Sequence, residues 1–144
     1  MVGATIAAHF VPIQVNTQDG YAAEVVTRFR QVWTPDLRVL GADGFEYHRW
    51  NGYLPPAEFT ARLLVARAEA LLRRHQEGEA AEAYAGVIRG FPTSRAASEA
   101  RYFAAVAQYK ASGEGSELIK GWRQLRSFHP ESTWRIKQSF TENP

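Results

Sequence analysis

The 144-residue chain has no cysteine. Disulfides, thiolate nucleophiles, iron–sulfur clusters and cysteine-ligated zinc are therefore excluded within it, because each needs a sulfur the chain does not carry. Long apolar runs are missing too. Nothing approaches the roughly 18 residues that would span a bilayer, and residues 1–10 lack the charged start and apolar centre of a secretory signal. The expected setting is cytoplasmic, with no membrane partner. Surplus charge is small: 17 basic residues against 15 acidic leave +2, less than a nucleic-acid surface normally carries, so no nucleic-acid partner is expected. The four histidines, His9, His48, His75 and His129, are scattered, and no pair has the i, i+4 spacing that puts two imidazoles on one helix face. No Ser-His-Asp set, phosphate-cradling glycine loop or paired acid/base spacing is present. The expectation for the chain as given is a redox-inactive non-enzyme with no catalytic residues, cofactor or metal.

What is present supports a folded core: 45% of the residues are hydrophobic and 22% charged. The pattern changes at Pro55-Pro56. Ahead of it, Val2, Ile6 and Phe10 fall four apart on a short helical stripe. Residues 10–15 read as a strand, with Pro12 at an edge or a start. Asp19 is placed to cap a helix whose apolar face is Ala22, Val25, Val26 and Phe29, and that helix should pack on a sheet. Residues 37–40 and 45–49 are strand-like and flank Asp43-Gly44, a strong hairpin signal because glycine tolerates the positive φ of a tight turn. Pro55-Pro56 then opens a helix.

The order strand, helix, Trp33-Thr34-Pro35, strand, Asp43-Gly44 turn, strand, Gly52-Tyr53-Leu54-Pro55-Pro56, helix resembles the C-terminal half of a thioredoxin-like domain, over about residues 1–72. The resemblance implies that Pro35 is cis, that Gly52 ends the last strand and that the final helix packs on the sheet. It also implies that the Cys-x-x-Cys region and the usual central strand lie outside this sequence. Residues 1–56 are assigned to this thioredoxin-like portion.

Residues 57–144 read as helices broken at regular places. Leu63, Leu64, Ala66, Ala70 and Leu71 form one stripe, and Ala81, Tyr84, Val87 and Ile88 a second beyond a break at Gly78. Ala100, Phe103, Ala104 and Ala107 form a third, and Leu118, Ile119, Trp122 and Leu125 a fourth beyond Gly113. Pro92 and Pro130 lie 38 residues apart, Gly78 and Gly113 lie 35 apart, and each proline heads a Pro-x-Ser. These offsets are similar to the period of tetratricopeptide helix pairs. The expectation is two such hairpins with a short cap using Trp134, Ile136 and Phe140, and alanines that let the helices approach closely. The fold class is α+β: a strand-helix-strand-strand-helix sheet portion followed by an all-α hairpin region.

In the thioredoxin-like family the backbone before the cis proline pairs with an extended substrate strand. The resemblance therefore implies peptide binding at Thr34 and Pro35, flanked by Trp33, Trp50 and Tyr53. The resulting expectation is a non-catalytic module that binds a protein or extended peptide. The alternative is a fragment of a longer thiol–disulfide oxidoreductase whose Cys-x-x-Cys lies upstream of Met1. An apolar strand at residues 10–15 with no neighbour also predicts homodimer formation through its edge.

Overall fold

The computed structural model describes residues 1–141. Among them are seven helices and one two-stranded antiparallel sheet: α1 (Val2–His9), α2 (Ala22–Phe29), β1 (Asp36–Leu40), β2 (Glu46–Asn51), α3 (Pro56–Arg73), α4 (Glu77–Gly90), α5 (Arg95–Ser112), α6 (Gly115–Phe128) and α7 (Thr133–Lys137), with a 3-10 turn at Ser139–Thr141. The class is α+β and mostly helical. No helix among the described residues is long and apolar enough to cross a membrane.

The Asp43-Gly44 turn closes the hairpin as expected. Gly44 adopts φ +82°, its N–H donates to the Gly41 carbonyl at 2.9 Å, and Asp43 Oδ1 accepts from the Phe45 N–H at 3.0 Å. The pairing runs from Asp36 opposite Asn51 to Leu40 opposite Glu46, with a register shift after Val39. Side chains alternate across a sheet, so Leu37, Val39, His48 and Trp50 share one face and Asp36, Arg38 and Arg49 the other. The first face meets α3, where the Trp50 and Phe59 rings pack edge to face at 5.6 Å. On the second, Arg38 lies opposite Arg49, a like-charge pair that would repel. Asp36 and Glu46 neutralise it: Arg38 bonds both carboxylates and donates to the Phe29 carbonyl at 2.9 Å. Its guanidinium also lies 4.8 Å from the Phe29 ring centroid, which ties the end of α2 to the hairpin.

The expected strand at residues 10–15 does not form. This segment is irregular and joins no ladder, and Val11 and Ile13 are 89% and 85% exposed. A strand exists only through its pairing, Pro12 supplies no N–H, and the sheet stops at β1 and β2. The strand-helix-strand-strand-helix order is corrected to helix-helix-strand-strand-helix, and the edge at residues 10–15 that was expected to pair two copies is absent. The cap of α2 differs as well. Asp19 serves through its carbonyl, which accepts from the Ala22 N–H at 2.9 Å, while its carboxylate takes the Asn16 side-chain amide.

The helical region repeats itself. α3 and α5 each have 18 residues, and α4 and α6 each have 14. α4 and α6 end alike, at Phe91 (φ −138°, ψ 54°) and His129 (φ −142°, ψ 58°). Each Pro-x-Ser then supplies a helix cap: Ser94 Oγ accepts from the Ala96 N–H at 3.0 Å, and Ser132 Oγ from the Arg135 N–H at 3.2 Å. Glu58 reinforces the first, since both its oxygens accept from the Arg95 N–H at the start of α5. Gly113 is the left-handed cap of α5. Gly78, expected to break the chain, instead lies inside α4. The break falls at His75, with φ +58°, where the Gln76 N–H returns to the Leu71 carbonyl.

The main core joins Ala61, Val65, Ala68 and Leu72 of α3 to Ala80, Tyr84 and Val87 of α4 and to Ala96, Ala100, Ala104 and Ala107 of α5. Larger side chains fill between the alanines; burying a residue such as Val65 or Leu72 contributes about 1.5–3 kcal/mol. A second cluster of Ala105, Trp122 and Leu125 joins α5 to α6. Trp122 stacks on Tyr102 with centroids 5.0 Å apart and donates its indole N–H to the Tyr102 carbonyl. Trp134 of α7 completes the aromatic group against Tyr102 and Phe103.

A methyl group built on Gly121 would sit 2.5 Å from the Ala105 Cβ. Gly121→Ala should therefore cost about 1–3 kcal/mol in chemical denaturation, as overpacking does. Gly86→Ala meets open space in α4 and should stabilise by about 0.4–1 kcal/mol. Equal responses would contradict a tight α5–α6 seam. At the other end of that seam His129 Nε2 accepts from Arg101 Nε at 3.2 Å. Burial, with the Arg101 charge second, holds the imidazole below its usual range. The unfolded chain takes up that proton first on acidification, so the stability is present above the usual histidine range and is lost as pH falls through the lowered value. His129→Gln should flatten the fall in unfolding free energy between about pH 7 and pH 5.

Candidate functional site

The open end of the hairpin brings the expected peptide-binding residues together. The Thr34–Pro35 bond is cis. The Pro35 carbonyl accepts from the Gly52 N–H at 2.9 Å, so the Trp33-Thr34-Pro35 loop lies directly beside Gly52-Tyr53. Gly52 takes φ +89°, a conformation open to glycine, and this turns the chain out of β2 toward Pro55-Pro56. Trp33 is 70% exposed, Tyr53 78% and the neighbouring Val32 86%, with Thr34 and Pro35 also exposed. The Gln31 side-chain amide donates to the Trp33 carbonyl at 3.2 Å. Trp50 is different. It is half-buried, faces α3 and packs on Phe59, so it supports this surface from beneath. Its indole Nε1 is buried without a hydrogen-bond partner.

On the α3 side of the same hairpin lies a polar cluster that reading the sequence did not identify. His48 Nδ1 and Glu69 Oε2 are 2.9 Å apart, and Arg73 holds Glu69 Oε1 from one helical turn away. Burial alone would raise the Glu69 carboxyl, but the hydrogen bonds from His48 and Arg73 outweigh it and the carboxyl is held below its ordinary range. Glu99 of α5, 6% exposed, pairs with Arg62 of α3. One ligand-capable atom each from His48, Glu69 and Glu99 lies within 4.8 Å of the others. Above the cluster a cavity of about 560 Å³ opens between the hairpin turn and the ends of α3 and α5; Phe45, Tyr47, Glu69, Arg73, Phe103 and Lys110 are among its walls.

A signal for part of this cluster does exist in the sequence. Glu99 stands on the Ala96–Phe103 face of α5, where the other positions are apolar, and His48 shares the inward face of β2 with Trp50. Glu69 and Arg73 read as an ordinary i, i+4 surface pair, and only the tertiary fold places them against the hairpin. Near the C-terminus the aromatics Trp122 and Trp134 pack inward while Arg123 and Arg126 stay exposed. Trp122 is buried, and Lys137 Nζ lies 3.8 Å from the Trp134 ring centroid.

No protein-family model, curated protein or solved structure matches this chain.

The geometry of the Pro35 loop depends on Arg38, whose bonds fix Asp36, Glu46 and the end of α2 around it. Asp36 is only 8% exposed in its side chain. Arg38→Met should leave that carboxylate without its partner and cost on the order of 3 kcal/mol, read by denaturant unfolding. Protease cleavage within residues 30–35 should quicken in the same variant. Unchanged unfolding would show that the ion cluster does not hold the loop.

Proposed function

We propose that the chain is a non-catalytic binding module that takes an extended apolar peptide, or an extended segment of a partner protein, at the Pro35 loop and the adjoining edge of the hairpin. The observation that carries this reading is the joining of the cis Thr34–Pro35 loop to Gly52, which gathers Val32, Trp33 and Tyr53, all large and mostly exposed, at one end of a two-stranded sheet. Each strand of such a sheet has an outer edge, and edges accept extended peptide through main-chain hydrogen bonds while neighbouring side chains select the sequence. Aromatic rings beside that edge supply contact area with few rotatable bonds to immobilise.

The finer reading is a thioredoxin-like C-terminal portion followed by tetratricopeptide-like hairpins. Its support is the order of an antiparallel hairpin, a positive-φ glycine and a helix laid on the sheet, followed by two helix pairs of matching lengths. In this reading the helical region steadies the small sheet, which has too few strands to stand alone. Without cysteine the chain holds its partner and does not exchange electrons with it.

An array of short peptides of apolar, acidic and basic composition, probed with the full chain, tests the proposal. Extended apolar peptides should be retained, and Trp33→Ala combined with Tyr53→Ala should weaken that binding by about tenfold or more while leaving the helical circular dichroism unchanged. Retention of no peptide class, or equal retention by the double variant, overturns it.

A further inference from the structure

The cluster beneath the hairpin contains a feature that its own ion pairs do not explain. Tyr84 of α4 is 0% exposed, its ring stacks on Phe103 at 6.0 Å, and its hydroxyl is buried with no hydrogen-bond partner. A buried hydroxyl left unbonded costs about 1–3 kcal/mol. This one lies in the electrostatic field of Glu69 and Glu99, two strong acceptors, and yet bonds to neither. Tyr84 shares the α3–α4–α5 core with Ala68, Leu72, Ala96 and Ala100, which flank Glu69 and Glu99 on their helices.

We propose that His48, Glu69 and Glu99 bind a divalent transition-metal ion of the zinc type, with the unbonded Tyr84 hydroxyl of the adjoining core as a further oxygen for it. One imidazole nitrogen and two carboxylate oxygens drawn from β2, α3 and α5 match the nitrogen–oxygen donor set such ions accept, and the spread of these atoms within 4.8 Å is of the size a single ion bridges after small side-chain adjustments. The arginines fit as outer partners. Arg73 holds Glu69 through Oε1, so Oε2, the oxygen beside His48, is the one turned to the ion, and Arg62 orients Glu99 in the same way. They also set a limit. Arg62 and Arg73 already balance the two carboxylates, so the ion enters a site with no surplus negative charge and binds more weakly than at a bare acidic triad. The sequence conceals the donors because they lie 21 and 30 residues apart on three separate elements, with no short motif.

Titration of the metal-free full chain with Zn²⁺ by calorimetry, and with Co²⁺ by its visible absorption, tests the assignment. The expected result is one ion per chain, a rise in the thermal midpoint on binding, and a Co²⁺ spectrum showing nitrogen and oxygen ligands. His48→Gln should reduce affinity by about tenfold or more. Tyr84→Phe, which removes only an unbonded hydroxyl and preserves the ring stack, should stay folded and bind more weakly than wild type. His9→Gln, remote in sequence from the cluster, should bind as wild type does. Absence of binding by the folded wild-type chain, or binding undiminished in both His48→Gln and Tyr84→Phe, overturns the proposal.

Discussion

The hairpin, α1 and the main core all lean on α3. Its Ala61, Val65, Ala68 and Leu72 enter the main core with α4 and α5, while Phe59 receives Trp50 and Glu69 receives His48 from the hairpin. α1 lies against the same helix. A two-stranded sheet is marginal by itself in water, and an eight-residue helix is shorter than isolated helices need for stability. The N-terminal elements therefore acquire their order from a helix whose own position is fixed by the hairpins beyond it. The energetic direction runs from the C-terminal core toward the N-terminal surface.

This direction explains what could be read from sequence and what could not. The helical region was legible because its signals are local and agree: stripes at 3.6-residue spacing, glycine after α5 and a serine cap after each proline. The Asp43-Gly44 hairpin was legible for the same reason. Readings failed where a local cue needed a distant partner or met a stronger competitor. Residues 10–15 have β-type composition, but no strand lies beside them to complete a ladder. Gly78 is a helix breaker by propensity, yet the turn at His75 already reverses the chain, and the glycine sits second in α4, outside the helix interior where its propensity cost is largest.

The candidate sites divide along the same line. Trp33, Thr34, Pro35 and Tyr53 were expected to act together from their order in the sequence, and a single main-chain bond from Gly52 to Pro35 joins the two stretches that carry them. Trp50, read with them, turns its face to α3 because alternation along β2 points it the same way as His48. The His48–Glu69–Glu99 group has no such order in sequence. Its members are joined by the packing of β2 on α3 and of α3 on α5, and the sequence reading singled out none of them as a site.

The distribution of apolar surface then links stability to function. Among the described residues of the N-terminal elements, Ala22 is the buried hydrophobic, whereas Val11, Ile13, Tyr21, Val32, Trp33 and Tyr53 are exposed. A chain relying on these residues for its own core would gain about 1.5–3 kcal/mol from burying each of the larger ones. Here the fold forgoes that gain because the α3–α5 core is assembled without them. Their exposure is sustainable for that reason. On the proposed function, binding at Val32, Trp33 and Tyr53 would draw on side chains that the folding core does not use. Arg38 and Trp50 are where the two sets meet: each is held by the scaffold on one side and shapes the exposed loop on the other.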